Sequence, residues 1–126
     1  DYYVPSHAEA QNQTGESDPL KIIDAYREAG ATGLVGVKLG EQGALLSPSH
    51  RQFLDIACVE PPDQVMDTTG AGDCFFGGLL AGVLRGHSIA EAGRLAAAAG
   101  AYCVTGLGAT TAVRDYAATA SLAGVL

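Results

Sequence analysis

The residues able to do chemistry are concentrated at 67–73, Asp67-Thr68-Thr69-Gly70-Ala71-Gly72-Asp73, followed at once by the small and apolar run Cys74-Phe75-Phe76-Gly77-Gly78-Leu79-Leu80-Ala81-Gly82. Gly70 and Gly72 open backbone conformations closed to other residues and let a ligand approach closely, so the N–H groups of Ala71, Gly72 and Asp73 can converge on one anion. The apolar run predicts a helix, and its positive end falls on the same spot. A carboxylate at the mouth of an anion site repels the ligand unless its task is to take a proton there. Asp73 is therefore the candidate general base, and Gly70, Ala71 and Gly72 form the candidate anion hole.

Other readings of the turn are weaker. An isolated glycine-rich turn between strand and helix is most often only a tight connection. A dinucleotide fingerprint requires a third small residue where Phe75 stands, and a phosphate-binding P-loop requires Gly-Lys-Ser/Thr, which does not follow. Cys74 has no His close in sequence and reads as a packing residue. Asp67 reads first as a turn cap that bonds backbone amides.

The elements that must position this turn follow from patterning. Residues 1–5 predict a short buried strand ended by Pro5. Residues 18–30 predict a helix capped by Asp18, with Pro19 in its first turn, Gly30 closing it, and an apolar face of Leu20, Ile23, Tyr26 and Ala29. The run 33–39 suits a strand buried on both faces of a parallel sheet. Gly40 to Gly43 then make a hairpin or tight loop before Ala44-Leu45-Leu46-Ser47. Lys38, just ahead of it, either reaches phosphate as a mobile point charge or snorkels from a strand end. Residues 51–60 predict a further strand through Phe53, Ile56, Cys58 and Val59, with Pro61 and Pro62 forcing an extended crossover. Ser88 and Glu91 make a capping box for an Ala-rich helix able to lie close to Gly78, Ala81 and Gly82. The stretch after Arg114 reads as a weak helix.

At 126 residues the chain fits one domain able to bury a core. The net charge of −7 argues against nucleic acid or an anionic membrane as partner, and no apolar run is long enough to span a bilayer. Three cysteines, Cys58, Cys74 and Cys103, have no metal-ligand spacing and leave one unpaired, which favours reduced thiols and a cytoplasmic location.

The string Asp67 to Asp73, with Gly77 and Gly78 behind it, closely resembles the C-terminal signature of the ribokinase-like (PfkB) carbohydrate kinases. The resemblance implies a three-layer α/β/α ribokinase-like (Rossmann-like) fold with a mostly parallel sheet. Residues 1–126 would be its C-terminal, nucleotide-binding and catalytic portion, without the first half that supplies the sugar pocket and lid. It implies ATP and Mg²⁺ as cofactors, a sugar or nucleoside as acceptor, and Asp73 as the base that deprotonates the acceptor hydroxyl. Ser6-His7-Ala8-Glu9 stands at the family's Asn-x-x-Glu, so Glu9 would organise Mg²⁺ through water; by itself Glu9 reads as a helix-start acid. Gly40, Glu41 and Gly43 match the loop that lies against the nucleotide, with Lys38 preceding it within reach of phosphate, and Ala97 stands where an Asn near the adenine is usual. Asp67, Thr69, Cys103, Gly106 and Gly108 match the surroundings of a monovalent cation, potassium in members that need it, with Gly106 in place of an Arg and Ala112 in place of a side-chain ligand. A binding module without catalysis and an NAD-dependent oxidoreductase domain are the rival classes. A sheet cut in its middle would leave an unpaired edge that invites homodimerisation.

Overall fold

A computed structural model describes residues 1–125. The order of elements is β1 (Tyr2–Tyr3), α1 (His7–Thr14), α2 (Pro19–Glu28), β2 (Leu34–Lys38), β3 (Ala44–Ser47), β4 (Leu54–Ile56), α3 (Ala71–Leu84), α4 (Ile89–Cys103) and α5 (Tyr116–Ala123), with a 3-10 turn at Gly40–Gln42. They fall into two compact units, Asp1–Ile56 and a second that begins at Ala57. Among the described residues no helix is long and apolar enough to cross a membrane.

In the first unit local chemistry sets the helix boundaries. Ser6 caps α1 through a reciprocal box: its Oγ accepts the Glu9 N–H at 3.2 Å, and Glu9 Oε1 accepts the Ser6 N–H at 3.3 Å. Asp18 accepts the Leu20 N–H at 3.0 Å ahead of Pro19, which starts α2 where its missing N–H costs nothing. The four strands lie in the order β1-β2-β3-β4. β1 and β2 are parallel, whereas β2/β3 and β3/β4 are antiparallel. The sheet is thus mixed rather than mostly parallel, because the Gly40–Gly43 connection is long enough to reverse the chain and far too short for a crossover.

Burial corrects three further expectations. Tyr2 and Tyr3 are exposed, since β1 lies at the sheet edge, and burial in the first strand region falls on Val4 and Pro5 beyond it. The strand expected at 51–60 shrinks to Leu54–Ile56, with Phe53 and Cys58 exposed; the alternation there was real only for Leu54 and Ile56. The apolar face of α2 is Ile22 and Ile23, packed with Ala10, Val35, Val37 and Leu45, while Leu20 is 47% exposed. Leu20 lies two residues from Ile22, about 200° around the helix, and so faces away from that core. Tyr26, at the border of this core, donates to Gln13 Oε1 at 2.6 Å beside Tyr3, which donates to the same oxygen at 2.7 Å. Burial and the neighbouring Tyr3 push the Tyr26 phenol up to about 12.

Arg27 is the residue that patterning did not anticipate. It is buried on α2, and its guanidinium donates to the carbonyls of Ala31 (3.1 Å), Gly33 (2.5 Å) and Ser47 (2.9 Å) and to Ser47 Oγ (3.0 Å). One side chain thus ties the end of α2 and the entry to β2 to the end of β3. Its Nε has no partner among the described residues. Replacing it with Met of similar length leaves those buried acceptors without donors, at about 1–3 kcal/mol for each group truly sealed from water. We expect Arg27→Met to lower stability by about 3 kcal/mol, against less than about 0.5 kcal/mol for Arg94→Met at an exposed position. Urea unfolding checks this, and equal midpoints for the two variants would show that the fork is not structural.

The second unit is built on α3 against α4. Ser88 and Glu91 cap α4 by the same reciprocal box, with bonds of 3.2 and 3.1 Å. α3 and α4 meet at Gly78 and Gly82, and Ala81, expected in that seam, is exposed because it lies a quarter-turn around the helix. α5 is a complete short helix rather than a weak one, since Asp115 accepts the Ala118 N–H at 2.9 Å and Gly124 closes it in a left-handed conformation. Ala120 and Val125 pack on Leu95. Tyr116 is held from two sides, by Arg85 stacked 3.8 Å over its ring and by His87, whose Nε2 lies 2.6 Å from the phenol oxygen and whose Nδ1 lies 3.2 Å from Glu91.

Candidate active site

The first four N–H groups of any α-helix lack intrahelical partners, and a side chain at the N-cap normally answers one of them. Ser6, Asp18, Ser88 and Asp115 do so for α1, α2, α4 and α5. Among the described residues α3 is the α-helix with no side-chain cap; its N-cap is Gly70, left-handed at φ 78°. A side chain at Gly70 would also collide with Ala109, since a Cβ there would lie 2.6 Å from the Ala109 Cβ. Gly70 is therefore required twice, by its backbone angle and by the 109 loop packed on it. Asp73 lies exposed in the first turn of this uncapped end. The Ala71 N–H, expected to face an anion, instead donates to the Thr68 carbonyl at 3.2 Å. The turn before the helix is tight enough to use that donor internally.

Asp67 holds the turn in place. Its Oδ1 accepts the Thr69 N–H at 2.9 Å and the Thr69 hydroxyl at 2.7 Å, and its Oδ2 accepts the Gly108 N–H at 3.0 Å. The structure thus joins 67–69 to the 103–109 loop, as does the Met66 N–H on the Val104 carbonyl at 2.7 Å. The Cys103 thiol donates to the carbonyls of Thr69 (3.5 Å) and Ala109 (3.1 Å), and the Gly106 N–H donates to the Cys103 carbonyl at 3.4 Å. Asp67, Thr69, Cys103, Gly106 and Gly108 therefore form one neighbourhood. Burial, followed by the hydrogen bond to Cys74, pushes the Cys103 thiol up to about 12.

The three bonds to Asp67, led by that from the Thr69 hydroxyl, hold its carboxyl below the ordinary aspartate range. The folded value is depressed, so the stabilisation is fully present above the unfolded value of about 4 and is lost as pH falls through the folded value. Asp67→Asn should be less stable than the parent at neutral pH, with a gap that narrows as the solution is acidified below about pH 4. A gap that stays constant in acid melting curves would rule out the carboxylate as its source.

In the first unit, the Lys38 N–H donates to the Pro5 carbonyl at 2.9 Å, and Ser6 bridges Lys38 in parallel. Lys38 and Glu9 thus share the carboxyl end of the parallel β1/β2 pair, where open α/β sheets bind ligands. Gly40, Glu41 and Gly43 follow directly in the turn between β2 and β3. Hydrogen bonds from Ser6, and to a smaller degree the Lys38 charge, lower the Glu9 carboxyl. An ionised carboxylate with its second oxygen outside the capping box suits a water-borne Mg²⁺, and among the described residues no group of three or more His, Cys, Asp or Glu offers a direct metal cage. Ala97 is buried in α4 and offers little surface to any ligand. Sequence reasoning missed Ala109, the packing partner of Gly70; no property of an alanine in a loop announces such a role.

A glycine-led helix end without a side-chain cap, carrying an acid in its first turn, is the kind of backbone arrangement that suits a phosphate-like anion. The chain belongs to the pfkB family of carbohydrate kinases, whose model matches residues 1–115. It is 40% identical over 93 residues to a 2-dehydro-3-deoxygluconokinase of Bacillus subtilis (strain 168), covering 73% of this chain and 28% of that protein. The structure of Arabidopsis thaliana ribokinase complexed with ribose and ATP superposes with a TM-score of 0.85 at 28% identity, over 99% of this chain and 41% of that one. A putative ribokinase II of E. coli in complex with ATP and Mg²⁺ gives 0.83 at 31% identity, over 97% and 38%. The fold is ribokinase-like, and the chain spans well under half the length of these relatives.

Proposed function

We propose that residues 1–126 are the C-terminal, nucleotide-binding and catalytic part of an ATP-dependent kinase that phosphorylates a hydroxyl of a sugar or nucleoside. The observation that carries this is the uncapped N-terminus of α3, led by Gly70 and carrying the exposed Asp73. Phosphoryl transfer needs positioning and charge stabilisation rather than covalent help, and a rigid helix end supplies both. In this reading Asp73 takes the proton from the acceptor oxygen as that oxygen attacks. The helix dipole and the amides over Gly70 to Asp73 hold the transferring group, with the Ala71 N–H contributing only once its bond to Thr68 opens. Glu9 orients water around Mg²⁺, which when bound neutralises phosphate charge. Lys38, Gly40, Glu41 and Gly43 line the nucleotide, and the Ala97 region of α4 shapes its base end without a polar contact. The Cys103, Gly106 and Gly108 carbonyls with Asp67 and Thr69 are the candidate potassium set.

A second reading, a nucleotide-binding module without turnover, is favoured by the engagement of Glu9 in the α1 cap. The two separate in one assay: ADP release from Mg-ATP with a panel of sugars and nucleosides, with and without potassium, beside calorimetric ATP binding. Release with one acceptor establishes the kinase and names its substrate class. Binding without release favours the module, or a catalytic part that requires the remainder of the fold. A folded chain that binds no ATP overturns both.

A further inference from the structure

We propose that Cys74 and Cys103 are a modification site, a thiol pair that peroxide converts to a disulfide and that reduction restores. Cys74 lies in the first turn of α3 beside Asp73, and Cys103 is the last residue of α4. Their sulfurs converge on one atom: the Ala109 carbonyl oxygen accepts from Cys74 Sγ at 3.4 Å and from Cys103 Sγ at 3.1 Å. Both sulfurs lie within 3.4 Å of that one oxygen, so they are neighbours, and an S–S bond requires the two side chains to turn toward each other. Cys74 is partly exposed and Cys103 is fully buried, so the oxidant meets Cys74 first.

The reaction balances in two steps. Hydrogen peroxide transfers one oxygen to the Cys74 sulfur, giving a sulfenic acid and one water. The Cys103 sulfur then attacks it, the S–S bond forms, and the Cys74 oxygen leaves as a second water with the Cys103 proton. Two thiols are oxidised and one peroxide is reduced. Burial keeps the second sulfur from reacting with oxidant on its own, which favours an internal link over stepwise overoxidation.

The link has a structural consequence. Oxidation removes both thiol donors from the Ala109 carbonyl and one from the Thr69 carbonyl, while Ala109 is the residue against which Gly70 is packed. The two states therefore hold the helix end differently. That the change is felt by ATP rests on the function proposed above.

The test uses a Cys58→Ser chain, so that the tryptic peptide Gln52–Arg85 carries Cys74 alone and Leu95–Arg114 carries Cys103. After mild peroxide treatment, non-reducing mass spectrometry should show these peptides joined within one chain and separated again by dithiothreitol. With Cys103→Ser added, Cys74 should instead be trapped as a sulfenic acid by dimedone. Cys74 found as sulfinic acid with Cys103 free, or a link found only between two chains, overturns the proposal. Mg-ATP should bind the linked chain at least tenfold more weakly than the reduced one; equal affinity would overturn the coupling to the helix end. A reduced chain that binds no Mg-ATP bears on the proposed function alone, because the link is read by mass.

Discussion

Asp73→Asn is expected to lower kcat by about three orders of magnitude in any preparation that releases ADP, with Mg-ATP affinity changed by less than about threefold. The large effect follows from chemistry. An amide keeps the size and shape of the carboxylate and cannot accept a proton from the acceptor hydroxyl, so the attacking oxygen must lose its proton to water. The small effect on binding follows from structure. Asp73 is exposed, and α3 does not draw on it for a cap, so no buried bond is lost with its charge. What changes is a charge in the first helical turn, about 0.3–1 kcal/mol of favourable interaction with the helix dipole, set against relief of repulsion between that charge and the phosphates. These oppose each other, which is why affinity should hardly move. Circular dichroism and melting temperature serve as controls. If binding and melting fall with activity, Asp73 supports the fold and is not the base; if kcat survives, the proton goes elsewhere.

The local geometry of the candidate site was legible in the sequence wherever it depends on backbone freedom and short spacing. Gly70 at a positive φ, Asp67 as a turn cap, the Ser88–Glu91 box and the hairpin at Gly40 to Gly43 are all decided by residues within a few positions of one another. The Ser6–Glu9 box has the same local logic, although the resemblance alone points Glu9 to Mg²⁺ rather than to a cap. What the sequence did not show depends on partners distant along the chain. Arg27 is drawn into the interior by carbonyls of Ala31, Gly33 and Ser47, and a helical pattern that counts Arg as polar places it outside. Sheet direction failed for a related reason. The apolar run at 34–37 reads alike whether a strand is flanked by parallel or antiparallel neighbours, and only the length of the following turn distinguishes them. The engagement of the Ala71 amide is a matter of tenths of an ångström, below what residue types encode.

The packing of α3 on α4 yields the other large effect, because there the backbone itself is the contact surface. A Cβ on Gly82 would lie 2.8 Å from both Cα and Cβ of Ala92, and one on Gly78 would lie 2.9 Å from the Ala96 Cα and 3.1 Å from the Leu95 carbonyl oxygen. Gly78 and Gly82 are one turn apart, as are Ala96 and Ala92, so the helices run antiparallel with small residues meeting on both sides. Main-chain atoms cannot rotate out of the way as a side chain can, and any added carbon must push the helices apart along the whole seam. Gly77, in the same helix but facing open space, supplies the contrast, because a Cβ there meets nothing within 4 Å. Helix propensity alone favours Ala over Gly by about 0.5–1 kcal/mol in a helix interior. Gly77→Ala should therefore be more stable than the parent by about that amount, while Gly78→Ala and Gly82→Ala should be less stable by about 1–2 kcal/mol despite the same propensity gain. Gly82→Val, branched at the point of closest approach, should cost about 4 kcal/mol, which approaches the whole stability of many small domains. Urea denaturation of the four variants measures the series. The sign reversal between adjacent glycines is the decisive feature: if all three Gly→Ala variants move together, propensity governs α3. If the signs split as expected, the helix end that carries Gly70 and Asp73 is held in place by a close-packed seam that one added methyl group can open.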